Sequence, residues 1–97
     1  MAERNFIRHV VFFSARSPEE REAVLEGLSI LKRNPHASLL EVVENRRVDS
    51  WSGEVDFVVY GEFESAEALA AYKAHPLYQQ SIDLVKPRRD MRIAADF

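Results

Sequence analysis

The sequence predicts an α+β fold of βαββαβ order, with a four-stranded antiparallel sheet and helices on one of its faces. Three observations carry this expectation. Residues 6–14 and 54–63 are rich in β-branched and aromatic residues, as strands are. Helix-forming stretches with start and stop signals follow each of them. Two weaker apolar segments supply the remaining strands. The chain has 97 residues, enough for one domain and too few for two, and is read as one domain over residues 1–97.

The first strand reads FIRHVVFFS from Phe6 to Ser14. Ser17-Pro18-Glu19-Glu20 then opens a helix. Ser17 is placed to cap it, Pro18 suits the first helical position, and Glu20 can reach back as in a capping box. This helix is expected from about Pro18 to Arg33, with Val24, Gly27, Leu28 and Leu31 as its inner stripe. Lys32 and Arg33 suit its negative end, and Asn34-Pro35 stops it. The second strand is expected from Leu39 to Val48, followed by a turn over Asp49 to Gly53. Glu54 to Phe63 is the clearest strand. Ser65 caps a helix from Ala66 to about Ala74, His75-Pro76 interrupts it, and Pro76 opens another through about Lys86. Met91 to Phe97 is the last strand. This order is the split βαβ, ferredoxin-like pattern.

Period-two alternation puts Ile7, His9, Val11 and Phe13 on one face of the first strand. In the third strand, Val55, Phe57, Val59, Gly61 and Phe63 share a face. The helices can cover only one side of the sheet. Val10, Phe12, Val58 and Tyr60 then remain on the other, an apolar patch of several hundred Å² of the kind that marks a partner surface. A homodimer through the sheet face opposite the helices is expected. The competing arrangement is a monomer whose last residues fold across that face.

The composition narrows function by exclusion. Lys and Arg total 13 and Asp and Glu 16, a net charge of −3, which argues against nucleic-acid binding. There are no cysteines, hence no thiolate metal site, disulfide or cysteine nucleophile. No apolar run is long enough for a membrane span, and Met1 to Asn5 lack the character of a signal peptide. A cytoplasmic protein is expected, with no membrane partner. His9, His36 and His75 have no metal-ligand spacing, and no Gly-rich phosphate loop is present, so neither metal nor cofactor is expected.

A few residues stand out as candidates for chemistry. His9, among apolar neighbours, is either a satisfied core residue or a pocket acid or base. His75 is a helix cap or a polar group at a site. Tyr72 and Tyr78 either pack with wet hydroxyls or point them into a pocket under the helices. Gly27 costs roughly 1 kcal/mol of helix stability relative to alanine, and marks either a close approach or an open cavity. Trp51 is a lid, an interface anchor or a simple clamp. Arg46-Arg47 and Arg88-Arg89 read as solvated turn pairs rather than a phosphate site.

Ile7-Arg8-His9-Val10-Val11-Phe12-Phe13, Phe63-Glu64-Ser65, Ala71-Tyr72-Lys73-Ala74-His75-Pro76 and Asp96-Phe97 resemble, in that order, the stress-responsive α/β-barrel (Dabb) domain family. The resemblance covers nearly the whole chain. It implies a dimeric α/β barrel in which two four-stranded sheets close on each other with helices outside. The family is functionally mixed; one plant member is a polyketide cyclase that needs no cofactor. Its first-strand histidine matches His9 and its tyrosine before the His-Pro step matches Tyr72. Its other catalytic histidine falls at Tyr78 and its first-helix pocket tyrosine at Gly27, so two of the four positions depart. The resemblance points to a cofactor-independent dimer binding a small apolar or aromatic molecule. His9, Gly27, Tyr72, His75 and Tyr78 are the candidate ligand-binding residues, and His9 and Tyr72 the candidate catalytic ones. The alternatives are a small cofactor-free enzyme (a cyclase, isomerase or monooxygenase-like protein) and a structural stress protein without a site.

Overall fold

The computed structural model describes residues 6–97; the charged stretch Met1 to Asn5 lies outside the described residues. Strands β1 (Ile7–Ala15), β2 (Leu39–Glu44), β3 (Phe57–Phe63) and β4 (Arg89–Asp96) form one antiparallel sheet in the order β2-β3-β1-β4. The predicted α+β, ferredoxin-like order is therefore present. The barrel is not. The sheet is open, with β2 and β4 as its two edges, and it does not close on itself. The two crossovers place β2 and β4 at opposite ends of only four strands, whereas closure with filled interiors takes about eight.

All the helices lie on one face. The face with Val11, Phe13, Phe57, Val59 and Phe63 is buried against Val24, Leu28 and Leu31, and against Leu69, Tyr72 and Val85. Strand pairing explains the selection: Val11 opposes Val59 and Phe13 opposes Phe57, so like faces coincide. On the other face Val10 and Phe12 stand opposite Tyr60 and Val58, all four half-buried. Val43 and Ile93 beside them are exposed, Ile93 by 56%. No helix or strand among the described residues covers this face.

The expected single helix over Pro18 to Arg33 is three pieces. A 3-10 turn (Pro18–Glu20) leads into α1 (Arg21–Ser29), and a second 3-10 turn (Ile30–Arg33) follows. Ser17 is extended as a cap should be, but its side chain makes no capping bond to the helix. Glu20 does not reach back either; it accepts from Arg88 at 3.0 Å. At the other end the Ser29 hydroxyl donates to the Leu25 carbonyl at 2.8 Å, a back-bond that competes with regular helix geometry. The later helices match expectation closely. Ser65 accepts from the Ala68 amide at the start of α2 (Ala66–Ala74), and extended His75 separates it from α3 (Pro76–Val85).

Strand ends differ by up to four residues from the sequence reading. β2 stops at Glu44 and β3 starts at Phe57 because side chains organise the loop between them. Asn45 donates to the Ser52 and Val55 carbonyls at 3.0 and 2.8 Å. Asp56 accepts from the Ala15 amide at 2.7 Å and from Arg21 and Arg47. Those bonds hold Arg47 in the left-handed region (φ 58°), uncommon for a residue other than glycine. β4 begins early because a bulge between Phe13 and Ala15 brings Arg89 into register. The Ser14 hydroxyl accepts the Met91 amide there, at 3.0 Å.

Candidate functional site

His9 sits in β1, one of the two interior strands, so its backbone is fixed by two ladders. Alternation turns its ring toward the helices, where it is only 2% exposed. Across the sheet it faces Gly61 on one side and Asp96 on the other. Gly61 is required by its surroundings: a Cβ there would lie 2.8 Å from the Phe63 ring. On the other side, His9 Nδ1 is hydrogen-bonded to Asp96 Oδ1. An ionised carboxylate only accepts, so Nδ1 carries the proton in this pair and Asp96 fixes the ring's orientation and tautomer.

Tyr72 comes from the last turn of α2 and is essentially buried. Its ring lies edge-on to His9 at 6.4 Å, 4.8 Å from Phe63 and 5.1 Å from Tyr78 between centroids. Burial first, and then the nearby Tyr78, raise the Tyr72 phenol well above the ordinary range, against a smaller opposing effect of Arg92. At neutral pH it is a protonated donor. Asn34 anchors this end of α2 by donating to the Tyr72 carbonyl at 3.0 Å.

These groups border a cleft between sheet and helices, about 360 Å³ with its open mouth included. His9, Val11, Val59 and Tyr72 form its floor and inner wall; Tyr78, Ile82, Arg89 and Arg92 lie among its other lining residues. Most of the volume is mouth, and the enclosed part is sized for water rather than for a ring. Tyr78 and Ile82 are only half-buried, so their side chains can yield to a ligand.

Of the five residues singled out from the sequence, the structure brings His9, Tyr72 and Tyr78 together at this cleft. Gly27 does not line it. Its place is a close approach of α1 to α3: a Cβ would fall 2.6 Å from Val85 Cγ2 and 3.4 Å from Leu84 Cβ. Ser81 of α3 donates to the Gly27 carbonyl at 2.8 Å across the same contact. His75 also lies elsewhere, capping α3 by accepting the Leu77 amide at Nδ1, 3.1 Å away, beside His36. Trp51 is 94% exposed on the β2–β3 loop and is not part of the cleft. Of the basic pairs, Arg47 and Arg88 are held by Asp56 and Glu20, whereas Arg89 belongs to the cleft.

Sequence reasoning missed Asp96, Arg89 and Arg92. Alternation along β4 carries a signal for two of them, because Arg92, Ala94 and Asp96 share one face. Only the pairing of β4 with β1 identifies that face as the helix side. Partial burial, and then Arg92 beside it, lower the Arg89 guanidinium from its usual range. No group of three or more histidines and carboxylates is placed to hold a metal ion among the described residues. No helix among them is long and apolar enough to cross a membrane.

The class so defined is a ferredoxin-like α+β protein with a histidine–tyrosine cleft between sheet and helices. The chain belongs to the stress responsive A/B barrel domain (Dabb) family, whose model matches residues 7–97. No curated protein matches it. Among solved structures it is similar to a dimeric ferredoxin-like protein of unknown function from Thermobifida fusca, with 24% identity and a TM-score of 0.78 over 95% of this chain and 89% of that one. It is also similar to a Dabb family protein with a ferredoxin-like fold from Mesorhizobium loti, with 22% identity and a TM-score of 0.74 over 97% and 96% of the two chains. A third is SnoaB, a cofactor-independent oxygenase from Streptomyces nogalater, with 14% identity and a TM-score of 0.68 over 97% and 92%. At these identities the likeness is one of fold.

Proposed function

We propose that this Dabb protein is a cofactor-independent homodimer, one domain over residues 1–97, that binds a small apolar or aromatic molecule in the cleft between sheet and helices. The observation that carries the reading is the convergence of His9, Tyr72 and Tyr78 on one apolar cleft. His9 and Tyr72 supply the polar contacts and Tyr78 flanks the entering ring. A buried donor with a raised pKa suits recognition of a carbonyl or hydroxyl oxygen, since it stays protonated throughout the neutral range. The uncovered apolar face supports the dimer, as do the Thermobifida relative's description as dimeric and the cost of leaving Phe12 and Val58 half-open to water.

The test is a titration of the isotope-labelled full chain with a neutral single-ring probe, 4-propylbenzamide, followed by NMR. Saturable shifts at His9, Tyr72 and Tyr78, with Trp51 unmoved, are the expected result. Shifts confined to the open sheet face, or none, overturn the reading.

The His9–Asp96 pair favours a second reading, a cofactor-free enzyme of the same shape. A carboxylate that fixes a histidine tautomer leaves the other ring nitrogen free to exchange a proton with a substrate. His9→Ala separates the two readings: an enzyme loses turnover, whereas a binding protein keeps its affinity for the neutral ring within a few-fold.

A further inference from the structure

We infer that the ligand of this cleft is an elongated aromatic carboxylate, its ring seated toward Tyr72 and its carboxylate held at the mouth by Arg89 and Arg92. The inference rests on the proposed binding function and adds the charge and shape of the ligand.

The reasoning starts with the charge balance. The chain is acidic overall, at −3. Within it, β4 brings two guanidinium groups to the lining of one cleft. Arg92 opposes Phe13 and Arg89 opposes Ala15, so the sheet register and the bulge at Ser14 set both positions. Elsewhere Arg21 and Arg47 share Asp56, and Arg88 pairs with Glu20. Arg89 and Arg92 have no ion pair among the described residues. They also oppose each other, since Arg92 disfavours the charged form of Arg89. Two like charges held together at the rim of an apolar cleft are relieved by an anion bound between them. The forked donors of arginine match a carboxylate in plane and spacing.

The shape follows from the strand. Arg92 and Asp96 are four residues apart on one face of β4, about 13 Å at strand rise. A molecule reaching from the arginines toward the His9–Asp96 pair is therefore long and narrow. The apolar stretch between, Val11, Val59 and Tyr72 against the half-buried Tyr78 and Ile82, admits a single ring with a short alkyl arm when those two side chains turn aside.

The experiment compares 4-propylbenzoate with its neutral isostere 4-propylbenzamide on the full chain, by NMR titration at low salt. The benzoate is expected to bind about tenfold more tightly. That advantage, read in each variant as the ratio of its two affinities, should disappear in the Arg89→Gln/Arg92→Gln variant and persist in part in Arg92→Lys. Equal affinity of the wild type for the two probes overturns this inference and leaves the binding site intact. So does an advantage that survives the double variant. Failure of both probes to perturb His9 and Tyr72 overturns the binding site and this inference together.

Discussion

Tyr72 is where burial and chemistry meet most directly. Its phenol is raised by loss of water, so the folded state prefers it protonated. Below the ordinary phenol pKa of about 10, folded and unfolded chains both keep that proton and stability does not depend on it. Above it the unfolded chain loses the proton first, and stability falls as pH rises toward the folded value. Urea unfolding at a series of alkaline pH values should show this decline, and Tyr72→Phe should flatten it. Tyr60 is also raised, chiefly by donating to Glu62, so Tyr60→Phe serves as the control and should remove a smaller part. Which side chains meet at the site was only half legible in the sequence. His9 and Tyr72 announce themselves as polar groups in apolar segments. Asp96 does not, because a carboxylate near a strand end looks solvated until the pairing of β4 with β1 puts it against a histidine.

The packing of α1 on α3 turns on Gly27. In an isolated helix, alanine there is worth roughly 1 kcal/mol of added stability. In this protein its methyl would fall 2.6 Å from Cγ2 of Val85, a buried β-branched side chain with few rotamers to turn to. Overpacking of this kind costs roughly 1–3 kcal/mol, so Gly27→Ala is expected to lower stability. Val85→Ala in the same chain should recover part of the loss, a coupling readable in a double-mutant cycle. The β2–β3 loop depends similarly on Asp56, which ties the end of β1 to two arginines. Both arginines are partly solvated, which weakens the pairs. Asp56→Asn is therefore expected to cost about 2 kcal/mol, seen as a lower urea midpoint at unchanged slope. These tertiary ties explain the helix and strand ends that local signals misplace. The capping box at Ser17 fails because Arg88, distant in sequence, takes Glu20. The break at His75-Pro76, a purely local event, falls where the sequence puts it.

For the molecule in its entirety, element order was legible because each strand and helix carries its own period and punctuation. The closed barrel was not: it was an implication of resemblance, and the open order β2-β3-β1-β4 replaces it. The apolar face left by that order gives a plain expectation. Sedimentation at micromolar concentration should report twice the 11.2 kDa chain mass, and Val58→Asp should reduce it to the single mass without unfolding the chain.

The bond between His9 and Asp96 spans 87 positions of sequence. During synthesis the histidine emerges 87 residues before its carboxylate arrives. The helices and the β2–β3 hairpin can form in that interval, but the clasp that orients the imidazole cannot. The oriented imidazole should therefore appear abruptly with β4 rather than grow with chain length, and shortened chains lacking Asp96 should keep much of the core and have no poised histidine.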